Sequence, residues 1–208
     1  MASTADGYNG GGVVGVAQLS QSAPTFTAAF DTISNTCANG VTMGYASLWH
    51  TASSTKVIRI RRVWLTFQSV ATLCNIAVSL KRWNTTAPAG GTAVTPAPAD
   101  PSDTVESYTA FQTNSGDPWS GSTAPTFAST GPLVDYWFRN AAFTTGSSGA
   151  APGWGNGTMV YQYEQSVQKP ITLRAGVLEG VMLCLDVDAL PGASSLIKVG
   201  GGFTWTEE

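Results

Sequence analysis

Charge is scarce in this chain. Lys, Arg, Asp and Glu make up 11% of its 208 residues, against about 25% in an average soluble domain. Histidine is scarcer still, with His50 standing alone. A Ser-His-Asp triad would have to use it, and no G-x-S-x-G elbow accompanies it. Its place beside Trp49, at the end of an alternating segment, reads as a surface or rim histidine. Cysteine occurs at Cys37, Cys74 and Cys184 only, with no C-x-x-C spacing. With one histidine, this excludes the usual zinc clusters. Cys74 and Cys184 lie in apolar strand patterns and read as buried free thiols, with a disulfide between two of the three left open. No apolar run approaches the roughly 18 residues of a membrane-spanning helix. No glycine stretch carries a phosphate-binding signature, and no cofactor is expected. The opening residues, Met1-Ala2-Ser3-Thr4-Ala5-Asp6, have neither a basic nor an apolar leader region. Synthesis in a cytoplasm, without a common export route, is the expectation.

Hydroxyls, glycine and proline take the place of charge: 20 Ser, 26 Thr, 23 Gly and 11 Pro. Rigid β-rich extracellular and virion proteins keep themselves soluble in this way. The apolar content of 43% argues against disorder. A chain of this length buries roughly 70% of its unfolded surface and needs no disulfide or metal staple. The net charge of −3 gives no global attraction to nucleic acid or to anionic membranes.

Residues 1–12 read as a flexible N-terminal arm, with Tyr8 in the glycine-rich stretch Asp6 to Gly12, and residues 13–208 as one domain. From Val13 onward the pattern is short strands between turn clusters. Phe26, Ala28 and Phe30 alternate with polar or small neighbours, as do Met43, Tyr45 and Ser47. Ile58 and Ile60 share one parity, while Val63, Leu65 and Phe67 share the other. One extra residue at Arg61-Arg62 returns both halves to one face, so a β-bulge is predicted there. Cys74, Ile76, Val78 and Leu80 alternate next, and an antiparallel hairpin with the preceding strand is expected. Residues 84–103 and 113–132 are long loops, and loops of about 20 residues are uncommon unless they bind something. Between them, residues 104–112 read as a short helix or strand, and Asp103 before Glu106, a cap-like start, favours the helix. Further strands are expected near Leu133 to Phe138, Met159 to Glu164, Ile171 to Arg174, Val181 to Val187 and Ser195 to Trp205. Eight to ten strands without βα alternation predict an all-β fold: an antiparallel two-sheet sandwich, jelly-roll-like, with long loops.

Few side chains are arranged for chemistry. Asp186 and Asp188 share a strand face, as paired carboxylates of a hydrolase or calcium site do, but lead into a turn and read as solvating groups. Six of the ten basic residues (Lys56, Arg59, Arg61, Arg62, Lys81, Arg82) fall between residues 56 and 82. A basic patch suits nucleic acid, but the overall charge is negative and no aromatics interleave the arginines. A solvated face and a protein interface built on bidentate Arg–carboxylate pairs are the competing readings. Trp119 and Trp154 lie in loops, where aromatics either plug the end of a sandwich or mark a contact surface. The candidate interface residues are therefore Tyr8, Arg59, Arg61, Arg62, Arg82, Trp119 and Trp154. No catalytic or metal residue is assigned.

Three segments carry a family resemblance. They are Lys56 to Val63 running into Leu80 to Trp83, the loop Gly90 to Pro96 with Asp100 to Asp103, and Lys169 to Val181 followed by an apolar strand and Phe203-Thr204-Trp205. Together they resemble structural proteins of tailed bacteriophage particles, especially small β-sandwich capsid decoration (cement) proteins. The resemblance implies a non-enzymatic virion protein, made in the host cytoplasm and added to the capsid surface. Its partners would be the major capsid protein and its own copies, as a homotrimer, with no nucleic acid or membrane partner. It implies no catalytic residue. A fibre, tail or baseplate component with a carbohydrate- or receptor-binding sandwich is the alternative.

Overall fold

A computed structural model describes residues 23–37, 42–69, 74–114, 119, 125–128, 133–140, 158–164, 169–189 and 195–208. Among these the chain is all β. Its strands are β1 (Thr25–Cys37), β2 (Thr42–His50), β3 (Ile58–Ser69), β4 (Cys74–Trp83), β5 (Thr92–Ala93), β6 (Ala97–Pro98), β7 (Thr109–Thr113), β8 (Val134–Asn140), β9 (Thr158–Gln162), β10 (Ile171–Leu173), β11 (Glu179–Ala189) and β12 (Ser195–Glu207).

The long strands pair in a nested pattern. β1 pairs with β12, β2 with β11, β3 with β9 and β4 with β8, all antiparallel. One sheet runs β10-β3-β12-β1-β6 with β9 also on β3, and the other β5-β7-β2-β11-β4-β8. Stripped of the short strands, the orders are β9-β3-β12-β1 and β2-β11-β4-β8. That is a hairpin of four nested pairs rolled into two facing layers, the arrangement of a jelly roll.

The rolling corrects one expectation. β3 and β4 are not a hairpin but lie in opposite sheets. Paired side by side, they would present one apolar face still in need of cover. Placed in facing layers, they cover each other, and burial outweighs the cheaper loop closure of a local hairpin. The proposed helix over 104–112 is also corrected. Residues 109–113 form β7 against β2, with Phe111 and Thr113 buried at alternate positions. Asp103 closes a turn onto the Asp100 carbonyl at 3.0 Å instead of capping a helix.

The bulge stands where the parity switch put it. Thr204 registers with Arg62 and Trp205 with Ile60, so Arg61 is the additional residue. Ile58, Ile60, Val63 and Leu65 consequently all enter the core, joined by Phe26, Ala28, Val78, Leu80, Leu183 and Phe203. A second apolar cluster lies apart from this core, where Met182 and Cys184 of β11 meet Trp49, Trp83 and Trp119. The central strand β11 is thus buried on both faces, Val181, Leu183 and Leu185 on one and Met182 and Cys184 on the other. Cys184 is a buried thiol whose Sγ lies 3.9 Å from the Met182 carbonyl. Gly180 makes room for this cluster: a Cβ there would lie 2.5 Å from Trp83 and 2.6 Å from Trp49.

Candidate functional site

The basic residues divide into two groups. Arg59, Arg61 and Arg62 belong to β3, at or beside the bulge. Glu208, just past β12, is fixed beside them because its backbone pairs both ways with Val57, at 2.8 and 3.0 Å. Its carboxylate accepts from Arg59 Nε at 2.8 Å and lies 3.5 Å from Arg61 Nη2. Arg61 also donates from Nε to Thr206 Oγ1 at 3.2 Å and stands over the Tyr163 ring, 5.1 Å from its centroid. The extra residue of the bulge is therefore held from three sides. Arg62 is exposed and makes no hydrogen bond or ion pair among the described residues.

Arg82 belongs elsewhere. It shares the inward parity of Val78 and Leu80 but sits where β4 leaves the core. One guanidinium nitrogen lies 3.2 Å from Glu179 Oε2, and the other donates to the Thr172 carbonyl of the opposite sheet at 2.9 Å. Glu179 is wholly buried. Arg174 donates to it from Nη2 at 3.1 Å and from Nε at 3.3 Å, and its backbone N–H also donates there. Gly176, at φ 71°, allows the turn between these two residues. Burial pushes the Glu179 carboxyl up, but the Arg174 hydrogen bonds and the Arg82 charge outweigh it and hold the group below its ordinary value. Arg82 is thus a tie between the two sheets.

His50 is also corrected, from rim to interior. It registers with Glu179 on β11 and Thr109 on β7, is fully buried, and among the described residues neither ring nitrogen has a well-formed hydrogen bond. Burial lowers its pKa, against the pull of Glu179, the nearby Arg174 carbonyl, Glu106 and Glu207. Glu106 itself accepts from Ser54 Oγ and, at 2.8 Å, from both Thr55 N and Oγ1. Its own backbone N–H donates to Glu207 Oε2 at 2.9 Å. Among the described residues no group of three or more His, Cys, Asp and Glu is placed to hold a metal ion.

Trp119 is fully buried, with its indole N–H on the Ala89 carbonyl at 2.9 Å and its backbone paired both ways with Gly44 at 3.0 Å. It is a plug, not an exposed contact, because the 84–103 loop closes over it. Tyr8 and Trp154 lie outside the described residues, as do the arm 1–12 and the side chains of Asp186 and Asp188. Glu208, the shared partner of Arg59 and Arg61, escaped the sequence reading. Its only signal was a pair of acids closing a strand pattern in which Lys198 is the one other charge. No family model, curated protein or solved structure matches the chain.

Proposed function

We propose that the chain is a non-enzymatic virion structural protein that binds the outside of an assembled phage capsid and stabilises it, as the resemblance to decoration proteins implies. The observation that carries this reading is the division of labour among the arginines. Arg59 and Arg61 are spent on Glu208, and Arg82 on Glu179 and Thr172, while Arg62 is exposed and its guanidinium has no partner among the described residues. A sheet that presents an exposed, planar, bidentate donor suits a carboxylate on a partner protein. Binding across the joints of a shell stabilises it by mass action. The glycan-binding alternative drew on Trp119, Trp154 and Trp137, and the burial of Trp119 removes one of the three. The resemblance implies three copies, whereas the sheet edge considered below argues for two.

The test is co-sedimentation with capsid shells of the virus that encodes the chain. Saturable binding, a raised melting temperature of the shell, and a binding constant weakened several-fold by Arg62→Glu are expected. Absence of binding to shells, or binding to a glycan instead, would overturn the reading.

A further inference from the structure

The sheet edges are not alike. β5 and β6 are two residues each, and β6 contains Pro98. The edge beside β3 is divided between β9 and β10, of five and three residues. Short, interrupted or proline-bearing edges discourage further pairing. β8 has none of these protections. It is seven consecutive residues, Val-Asp-Tyr-Trp-Phe-Arg-Asn, without Pro, Gly or Lys. It closes its sheet, and among the described residues it pairs only with β4. Leu133, immediately before it, is 42% exposed, a rare large apolar side chain at the surface. A cavity of about 320 Å³ opens beside it, lined by Leu133, Val134, Val160, Tyr161 and Ile171 together with the polar Gln162 and Lys169.

The order of residues in β8 names the occupant. Positions 134 and 136 register with Leu80 and Val78, which are in the core. Positions 135, 137 and 139 therefore fall on the outer side of the sheet. Let a second copy add antiparallel, about a two-fold axis perpendicular to the sheet through Trp137. Position 137 then meets itself, and Asp135 of each copy stands opposite Arg139 of the other. Both charges are matched twice, and the whole strand is paired. Sliding the register by four residues either way sets Asp135 against Asp135, or Arg139 against Arg139, so the same charges oppose the wrong registers. Directly opposed opposite charges stabilise a strand pair and like charges destabilise it.

We propose that β8 is a homodimerisation edge, through which two copies join their six-stranded sheets into one continuous sheet with Asp135 and Arg139 setting the register. The interface is isologous, and its copy number of two replaces the three that the resemblance implies. It stands independently of capsid binding.

Light scattering on the full chain after size exclusion, at high micromolar concentration, tests it. A mass of twice 21.6 kDa is expected. Asp135→Arg alone and Arg139→Asp alone each place like charges opposite one another at two symmetric positions, and should weaken the dimer roughly tenfold or more. Mixing the two single variants should restore a dimer, now of unlike chains. The double variant Asp135→Arg/Arg139→Asp should restore the homodimer. Circular dichroism shows that each variant keeps its sheet content. A monomeric or trimeric wild-type chain would overturn the proposal, as would a dimer indifferent to both single reversals, or single variants that fail to recover on mixing. Loss of shell binding with the dimer intact would count against the capsid reading alone.

Discussion

Arg82 of β4 stands 3.2 Å from Glu179 of β11 and, through its second nitrogen, 2.9 Å from the Thr172 carbonyl in the facing sheet. A single side chain thus fastens neighbouring strands to each other and one layer to the other. Glu179→Ala would leave Arg82 and the Arg174 N–H facing an empty, buried position. Breaking a buried pair by removing one partner costs about 3 kcal/mol, and urea unfolding should register a loss of that size. Arg174→Ala should cost clearly less, because that side chain is 68% exposed and exposed pairs contribute little.

His50 gives the chain a pH response. Its folded pKa lies below the ordinary 6.5 because burial opposes the charged ring. The unfolded chain accordingly binds a proton that the folded chain refuses, so stability falls as pH drops below 6.5. Glu179, held below its ordinary 4.5, adds stability present above 4.5 that is lost as pH falls through its folded value. The melting temperature should decline in two stages on acidification. His50→Gln should flatten the upper stage and leave the lower one.

Trp119→Ala should cost about 3–5 kcal/mol, since it empties the space between Trp83, Trp49 and the 84–103 loop. Trp119→Phe keeps most of the packing but orphans the Ala89 carbonyl, at a cost of about 1–2 kcal/mol. Denaturant midpoints measure both. Shell binding per folded molecule should be unchanged by Trp119→Phe, which separates a plug from a contact residue.

Deleting Arg61 should abolish folding. Without the extra residue, either Ile58 and Ile60 or Val63 and Leu65 turn to the outer face. Arg61→Ala keeps the residue count and should cost less than about 1 kcal/mol, as a partly exposed ion pair does. Heteronuclear NMR spectra of the two variants distinguish loss of register from loss of a side chain.

Alternation was the legible part. Parity along β3 located the bulge residue by residue, and parity along β1, β4 and β11 identified the core face, because a half-buried strand writes its burial into every second position. Partnership was not legible. Nothing local distinguishes a β3–β4 hairpin from two strands in facing layers, since both bury the same face. The second apolar cluster left a trace, in that Met182 and Cys184 are as apolar as Val181 and Leu183, and a strand apolar at both parities is covered on both sides. The polar ties were invisible for another reason. Arg82 reads as one more member of a basic run, and only the end of β4 at the mouth of the sandwich turns it inward onto Glu179. His50 likewise looked peripheral because it ends β2, yet the turns on either side close over it.

The rolled pairing has a consequence for how the molecule is made. β12 fits between β1 and β3, and β11 between β2 and β4. In each layer the slat in the middle leaves the ribosome after both strands that it joins. Until residues 179–207 emerge, a gap at the centre of each layer separates the β2–β7 ladder from the β4–β8 ladder, and β1 from the β3–β9 ladder. Thr25 waits for Thr206, at almost the full span of the chain. Assembly therefore waits for one late closure, after residues 179–207 have emerged, dominated by distant contacts, which makes for slow folding.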